Sequence, residues 1–303
     1  MKDRIRVTPS APAPNYAPAY LAEDLGFFTQ EDLNVDATVY AGPGASWLAD
    51  NLLAGKADIA LGGIWIPLMY RARIAAFTIF AMVCNRNPQV VMSRAPIGQF
   101  TWKDMYDKKF LLPMSATSQW MFLEGVMLED KADRERIKFI RDLDGATMAR
   151  LWSAGFGDFY LTKPPESEAF EDQGYFIATT IAKSGGLVPW SVYYTTPEFV
   201  ERPGRLVTRF ARAIQRSLDW IHSHQPLEVA RVVHHRFPHV SLEALTRSIG
   251  RLREWDVWAD TIRVPEASFN RYQGMIARYG LINEPLPFTQ VVSPDVADEV
   301  ASS

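Results

Sequence analysis

The chain has 303 residues, 48% hydrophobic and 22% charged, with 32 basic and 35 acidic residues for a net charge of −3. That length is too great for one comfortable core and suits two domains, while the balanced charge lacks the basic excess that would point to nucleic acid or an anionic membrane as partner. A single cysteine, Cys84, excludes an internal disulfide, and no apolar run approaches the ~20 residues of a membrane-spanning helix.

Ile5 and Val7 alternate with polar neighbours and predict a first strand. Pro9 to Pro14 carries three prolines and predicts a loop. A helix is expected over 16–25, closed by Gly26, and a second strand through Val35, Ala37 and Val39. Gly42-Pro43-Gly44 predicts a turn before a helix over 45–54, and Ile59 to Leu61 a third strand. This β-α-β-α-β order implies a parallel sheet with crossover helices. A helix is expected near 66–73, then apolar runs at 77–84 and 89–93 about the turn Asn85-Arg86-Asn87-Pro88, the first of them the last strand of its lobe.

Beyond that turn, strands are expected at 110–112, 137–140, 159–161 and 177–180, with helices over 119–129 and 146–153. Val188 to Tyr194 reads as a return crossing. The remainder predicts helices over 197–223, 226–236 and 265–279. Another runs from an N-cap at Ser241 to about Trp255, with Glu243 in its first turn. The tail from Asn283 is expected to be a proline-punctuated surface segment.

One pattern occurs twice. Ala54-Gly55-Lys56-Ala57-Asp58 runs into the apolar strand Ile59-Ala60-Leu61, and Ala154-Gly155-Phe156-Gly157-Asp158 runs into Phe159-Tyr160-Leu161. Two copies of one plan predict two lobes, residues 1–88 with 190–303 and residues 89–189, and a ligand cleft. Asp58 and Asp158 stand at the starts of their strands, far from the ligand-binding ends, so a structural role in each lobe is expected of them.

Several segments resemble the substrate-binding proteins of the nitrate, sulfonate, taurine and thiamine-precursor ABC transporters. They are Tyr20-Leu21-Ala22 with Gly26-Phe27-Phe28, Leu33-Asn34-Val35, Tyr40-x-Gly42 and Leu52-x-Ala54-Gly55-Lys56-Ala57-Asp58-Ile59-Ala60. Trp102-Lys103-Asp104 extends the likeness, although Asp107 stands where that family usually has glycine. The resemblance implies an α/β, two-lobe type II periplasmic binding protein fold, with a hinge near Cys84 to Gln89 and Pro189 to Tyr193. It also implies a small-molecule ligand and ABC transporter membrane subunits as partners. It leaves the ligand open.

Ligands of open parallel sheets bind beyond the carboxyl ends of the strands. That rule selects the loops at 10–16, 42–47, 62–65 and 114–120. Helix N-termini there offer unpaired N–H groups, glycines allow close approach, and hydroxyls add donors. The candidate ligand contacts are Ser10, Asn15, Tyr16, Gly42, Gly44, Ser46, Trp47, Gly63, Trp65, Ser115, Thr117, Ser118 and Trp190. Trp120 and Lys163 are lesser candidates. So many aromatic side chains suit a flat aromatic or heterocyclic ligand, such as a pyrimidine, better than a small oxyanion.

No catalytic residue, metal or cofactor is expected. The five histidines all fall between 222 and 239, but their spacing matches no zinc pattern. Cys84 sits in an apolar run and reads as an inert buried thiol. The expected function is capture of a small solute for import by a monomer, periplasmic if a leader has been removed and cytoplasmic otherwise. Two alternatives stand beside it. One is an enzyme related to the thiamine-pyrimidine synthases, against which the single cysteine argues. The other is a cytoplasmic ligand sensor.

Overall fold

The computed structural model describes residues 2–38, 47–71, 73–114 and 117–302, and the side chain of Thr117 stands outside that description. The chain divides into two units, residues 1–85 with 187–303 and residues 86–186. The sequence reading put these boundaries at 88/89 and 189/190, three residues further along.

The strands are β1 (Asp3–Pro9), β2 (Leu33–Asp36), β3 (Ile59–Gly63), β4 (Thr78–Cys84), β5 (Val90–Ser93), β6 (Lys109–Leu111), β7 (Lys138–Ile140), β8 (Phe159–Thr162), β9 (Phe176–Thr180) and β10 (Ser191–Thr195). The first unit holds one five-stranded sheet in the order β2-β1-β3-β10-β4. β1 runs parallel to β2 and β3, and β10 runs antiparallel to β3 and β4. The second unit holds the order β7-β6-β8-β5-β9. There β6 is parallel to β7 and β8, and β5 is antiparallel to β8 and β9. Each sheet is thus three parallel strands, then an antiparallel one, then a fifth that runs with the first three. In each, the antiparallel strand comes from the segment that follows a crossing between the units.

The parallel trio β2-β1-β3 is the one expected from the β-α-β-α-β order, and the segment read as a return crossing adds an antiparallel strand to it. Val188 to Tyr194 includes a central strand, because Val192, Tyr193 and Tyr194 are all buried. A strand covered on both faces reads as a continuous apolar run without alternation. The long helix expected over 197–223 is broken into Pro197–Val200 and Leu206–Ser223. Pro203 and Gly204 (φ +85°) stand at the break. The tail is also more ordered than expected. It forms helices at Phe288–Val291 and Pro294–Ala301, Val292 bridges Ile79 of β4, and Val291, Val296 and Val300 are buried.

The repeated motif does the same work in both units. Gly55 and Gly155 take positive φ (+62° and +92°) just past their helices, where an L side chain would be strained. Asp58 accepts the backbone N–H of Arg6 at 2.8 Å, and its own N–H donates to the Arg6 carbonyl at 2.8 Å. Asp158 accepts the N–H of Lys109 at 2.8 Å, and its N–H donates to the Lys109 carbonyl at 2.9 Å. Each aspartate therefore fixes the start of its own strand against the first strand of the parallel trio. Asp107, in place of the family's glycine, adopts φ +63°, a conformation that aspartate tolerates better than most residues.

Candidate functional site

The first unit gathers polar groups at one edge of its sheet. In the register, Ser191 at the start of β10 lies between Gly63, the last residue of β3, and Cys84, the last residue of β4. Beyond the end of β1, Ser10 leads to a single 3-10 turn, Pro14–Tyr16, that opens the helix Ala17–Asp24. Proline in the first turn of each suits that start, since its missing N–H would find no intrahelical partner there.

Asn15 is 5% exposed and is held on three sides. Its carbonyl accepts from Trp258 Nε1 at 2.9 Å and from the Cys84 thiol at 3.4 Å, while its own Nδ2 donates weakly to Cys84 Sγ at 3.9 Å. The Tyr16 hydroxyl lies beside Ser10 and Ser191, and burial raises its pKa above the ordinary phenol value. Burial likewise pushes the Cys84 thiol up to about 12, although Ser191 and Asn15 oppose the shift. A thiol held so far from ionisation has almost no thiolate at neutral pH and is a poor nucleophile. Native protein should therefore resist iodoacetamide at about pH 8 and react only once denatured. Rapid alkylation of the folded chain would refute this environment for Cys84.

The buried Oδ1 of Asn85 completes no hydrogen bond among the described residues, while Ser191 Oγ, in a residue 1% exposed, lies within reach of the Tyr16 hydroxyl and the Cys84 thiol. Leaving a buried polar atom unpaired costs about 1–3 kcal/mol, so an unpaired atom at a strand end is a natural contact for a polar ligand edge.

Trp65 stands at the first position of the helix Trp65–Arg71 and is 8% exposed. Its indole packs over Gly63. A Cβ on Gly63 would come within 2.7 Å of Trp65 Cδ1 and 2.8 Å of Nε1. A Cβ on Gly62 would collide with Leu48 Cδ1 at 2.4 Å. The glycine pair thus lets two side chains close down on the end of β3. Trp190 is also buried, with its ring 6.2 Å from that of Tyr272, and its N–H donates to the Cys84 carbonyl at 2.8 Å. Trp47 is half-buried at the start of the helix Trp47–Leu53.

Of the sequence candidates, Ser10, Asn15, Tyr16, Gly63, Trp65 and Trp190 lie at this edge or on residues that flank it. Gly42, Gly44, Ser46 and Ser115 lie outside the described residues. In the second unit, Thr117 opens the helix Thr117–Glu129, and Ser118 Oγ donates to Gln119 Oε1 at 3.0 Å. Trp120 on that helix is buried under the Arg141 guanidinium, 4.0 Å from its ring centroid, and edge-on to Phe139. Lys163 is exposed. Ser191, Cys84 and Asn85 were not anticipated as a cluster. Only the antiparallel placement of β10 brings Ser191 beside Cys84, and no local pattern announces it.

His224, His234 and His235 meet nearby groups. His224 stacks on Trp220 at 3.9 Å, His234 Nε2 contacts the Val240 carbonyl at 2.8 Å, and His235 Nδ1 contacts the Val232 carbonyl at 3.1 Å. Among the described residues no group of three or more His, Cys, Asp or Glu could hold a metal ion, and no helix is long and apolar enough to cross a membrane.

The sequence is 24% identical over 295 residues to the Bacillus subtilis (strain 168) protein named "Putative binding protein YtlA", covering 95% of this chain and 86% of that one. Its fold is similar to the crystal structure of the periplasmic aliphatic sulphonate binding protein SsuA from Escherichia coli (TM-score 0.75, 14% identity, 97% of this chain and 93% of that one). It is also similar to the desulfurization enzyme DSZB (TM-score 0.69, 15% identity, 99% of each chain). The fold is therefore the two-lobe type II periplasmic binding protein fold that the sequence led us to expect. Residues 13–226, well over half of the chain, match the family described as NMT1/THI5 like, and the chain belongs to that family.

Proposed function

We propose that this protein is a solute-binding protein of ABC import and that its ligand is a flat aromatic or heterocyclic molecule with a polar edge, pyrimidine-like in shape. The observation that carries the reading is the edge of the first sheet. The unpaired Asn85 Oδ1 and the buried Ser191 hydroxyl lie there with the hydroxyls of Ser10 and Tyr16 and with an indole seated on Gly63. Hydroxyls and an amide oxygen recognise a hydrogen-bonding ring edge, and an indole supplies a face for stacking. A binding relative and a periplasmic sulphonate-binding fold neighbour support capture and delivery to membrane subunits, outside the cytoplasmic membrane. The enzyme neighbour favours catalysis less, because the single thiol of this chain is buried and protonated.

The test is a thermal-shift panel of pyrimidines, aromatic acids, sulfonates, nitrate and amino acids. A ligand that binds only the native state raises Tm by mass action. A pyrimidine or aromatic acid should give the largest shift. Trp65→Ala should weaken that ligand about tenfold or more, roughly 1.4 kcal/mol, as expected for loss of a stacking face. Gly63→Ala should do the same by displacing the indole. A shift with nitrate or alkyl sulfonates alone would reject the aromatic ligand, and unchanged affinity in both variants would remove Trp65 from the site.

A further inference from the structure

The first unit contains a cavity of about 250 Å³ that the strand-edge site does not account for. It lies on the side of the sheet covered by the helices Ala17–Asp24 and Leu206–Ser223. Val7 of β1, Val35 of β2 and Leu61 of β3 line it from the sheet. It shares only Ser10 and Tyr16 with the polar edge described above.

Its wall is aromatic. Phe28 and Phe210 stack with centroids 4.8 Å apart, and Tyr193 meets Phe210 edge-on at 5.0 Å and 77°. All three line the cavity, so a further ring inside it would continue an arrangement of stacked and edge contacts that aromatic pairs prefer. A cavity of about 150 Å³ with apolar walls is enough to bind benzene, and the larger space here admits a substituted or bicyclic ring.

At the opposite end the lining is polar, and its ionic residues, Glu23 and Arg236, carry opposite charges. Glu23 is paired with Arg236 at 3.0 Å, and the same guanidinium binds Asp24 and lies 5.0 Å over the ring of Tyr20. An anionic or cationic ligand would meet a charge already matched, whereas the hydroxyls of Ser10, Tyr16 and Tyr20 can serve a neutral polar tip. We infer that this cavity is a second ligand site, separate from the strand-edge site, that takes a small neutral aromatic molecule bearing one hydrogen-bonding group, of the phenol or indole kind.

The full chain would be titrated with phenol and with indole, read by thermal shift and by calorimetry. Saturable binding is expected. Ala19→Phe and Ala37→Leu fill the cavity from the helix and from the loop after β2, at positions that are only half-buried and so tolerate enlargement. Either substitution should weaken phenol at least tenfold. If one fails to fold, the other reads the same space from a different wall. Trp65→Ala should leave phenol affinity within twofold, which separates this site from the strand edge. No saturable binding to the wild type would overturn the inference. So would wild-type affinity in the filled variants, or loss of phenol binding in Trp65→Ala. The solute panel reads native-state binding at either site, and Trp65→Ala set against Ala19→Phe assigns each shift to one of them.

Discussion

Raising the pH from about 9 to 12 should unfold the protein cooperatively, well before its buried phenols ionise in place. Burial holds Cys84 up at about 12 and raises Tyr16, Tyr160, Tyr193, Tyr194 and Tyr272 above the usual phenol range, with the Glu166 carboxylate adding to burial at Tyr160. In the unfolded chain the thiol ionises near 8.5 and each phenol near about 10. Above those values the unfolded state binds fewer protons than the folded state, so stability falls as pH rises. Each group withdraws up to about 1.4 kcal/mol per pH unit until its folded-state pKa is reached. Six groups acting together reach, by about pH 11–12, the roughly 5–15 kcal/mol that holds a typical domain folded. Circular dichroism and tyrosinate absorbance recorded in one titration should change together and steeply. Cys84→Ala should blunt the onset, because the thiol is the first of these groups to titrate in the unfolded chain. A gradual, reversible phenolate titration centred near pH 10 with structure intact would show that these hydroxyls are open to solvent.

What could be read in the sequence followed the range of the interactions. β1 and β3 were legible because alternation and a glycine stop are local signals, and so was the Ala-Gly-x-x-Asp repeat; β2 was placed too late, since it spans Leu33–Asp36 and holds Val35 but not Ala37, and Val39 lies outside the described residues. β10 was not recognised as a strand. Its partners Gly63 and Cys84 lie more than a hundred residues away, and its residues are buried on both faces. The strand-edge site was half legible for the same reason. Ser10, Tyr16, Gly63 and Trp65 sit in loops that topology rules pick out, whereas Ser191 acquires its place only when β10 inserts between β3 and β4. The aromatic cavity was invisible. Its walls run from Val7 to Arg236, and each of its residues, taken alone, reads as ordinary core.

The two aspartates of the repeat give the second large effect, and they should differ. Asp58 Oδ2 accepts the Arg6 backbone N–H at 2.8 Å and Arg6 Nε at 3.0 Å, and Oδ1 accepts Arg6 Nη2 at 2.8 Å. Its side chain is only 9% exposed. Burial opposes its ionisation, but the guanidinium and the backbone N–H outweigh that and hold the carboxyl below the usual range. Asp158 keeps the backbone bond to Lys109 at 2.8 Å in a more exposed setting. Asp58→Ala removes a bidentate, charge-assisted pair and strands the Arg6 N–H, which should cost about 3 kcal/mol. Asp158→Ala loses one exposed bond and should cost about 1 kcal/mol. Asp58→Asn, which keeps an acceptor for the N–H and loses the charge, should fall between them. The pH dependence has a definite sign. Because the folded pKa of Asp58 is depressed, its contribution is fully present above the unfolded value of about 3.9 and is lost as pH falls toward the folded value. The gap between wild type and Asp58→Asn in chemical denaturation should therefore narrow below about pH 4. Equal losses for the two alanine variants would mean that the backbone bond common to both units, and not the Arg6 pair, carries the stabilisation.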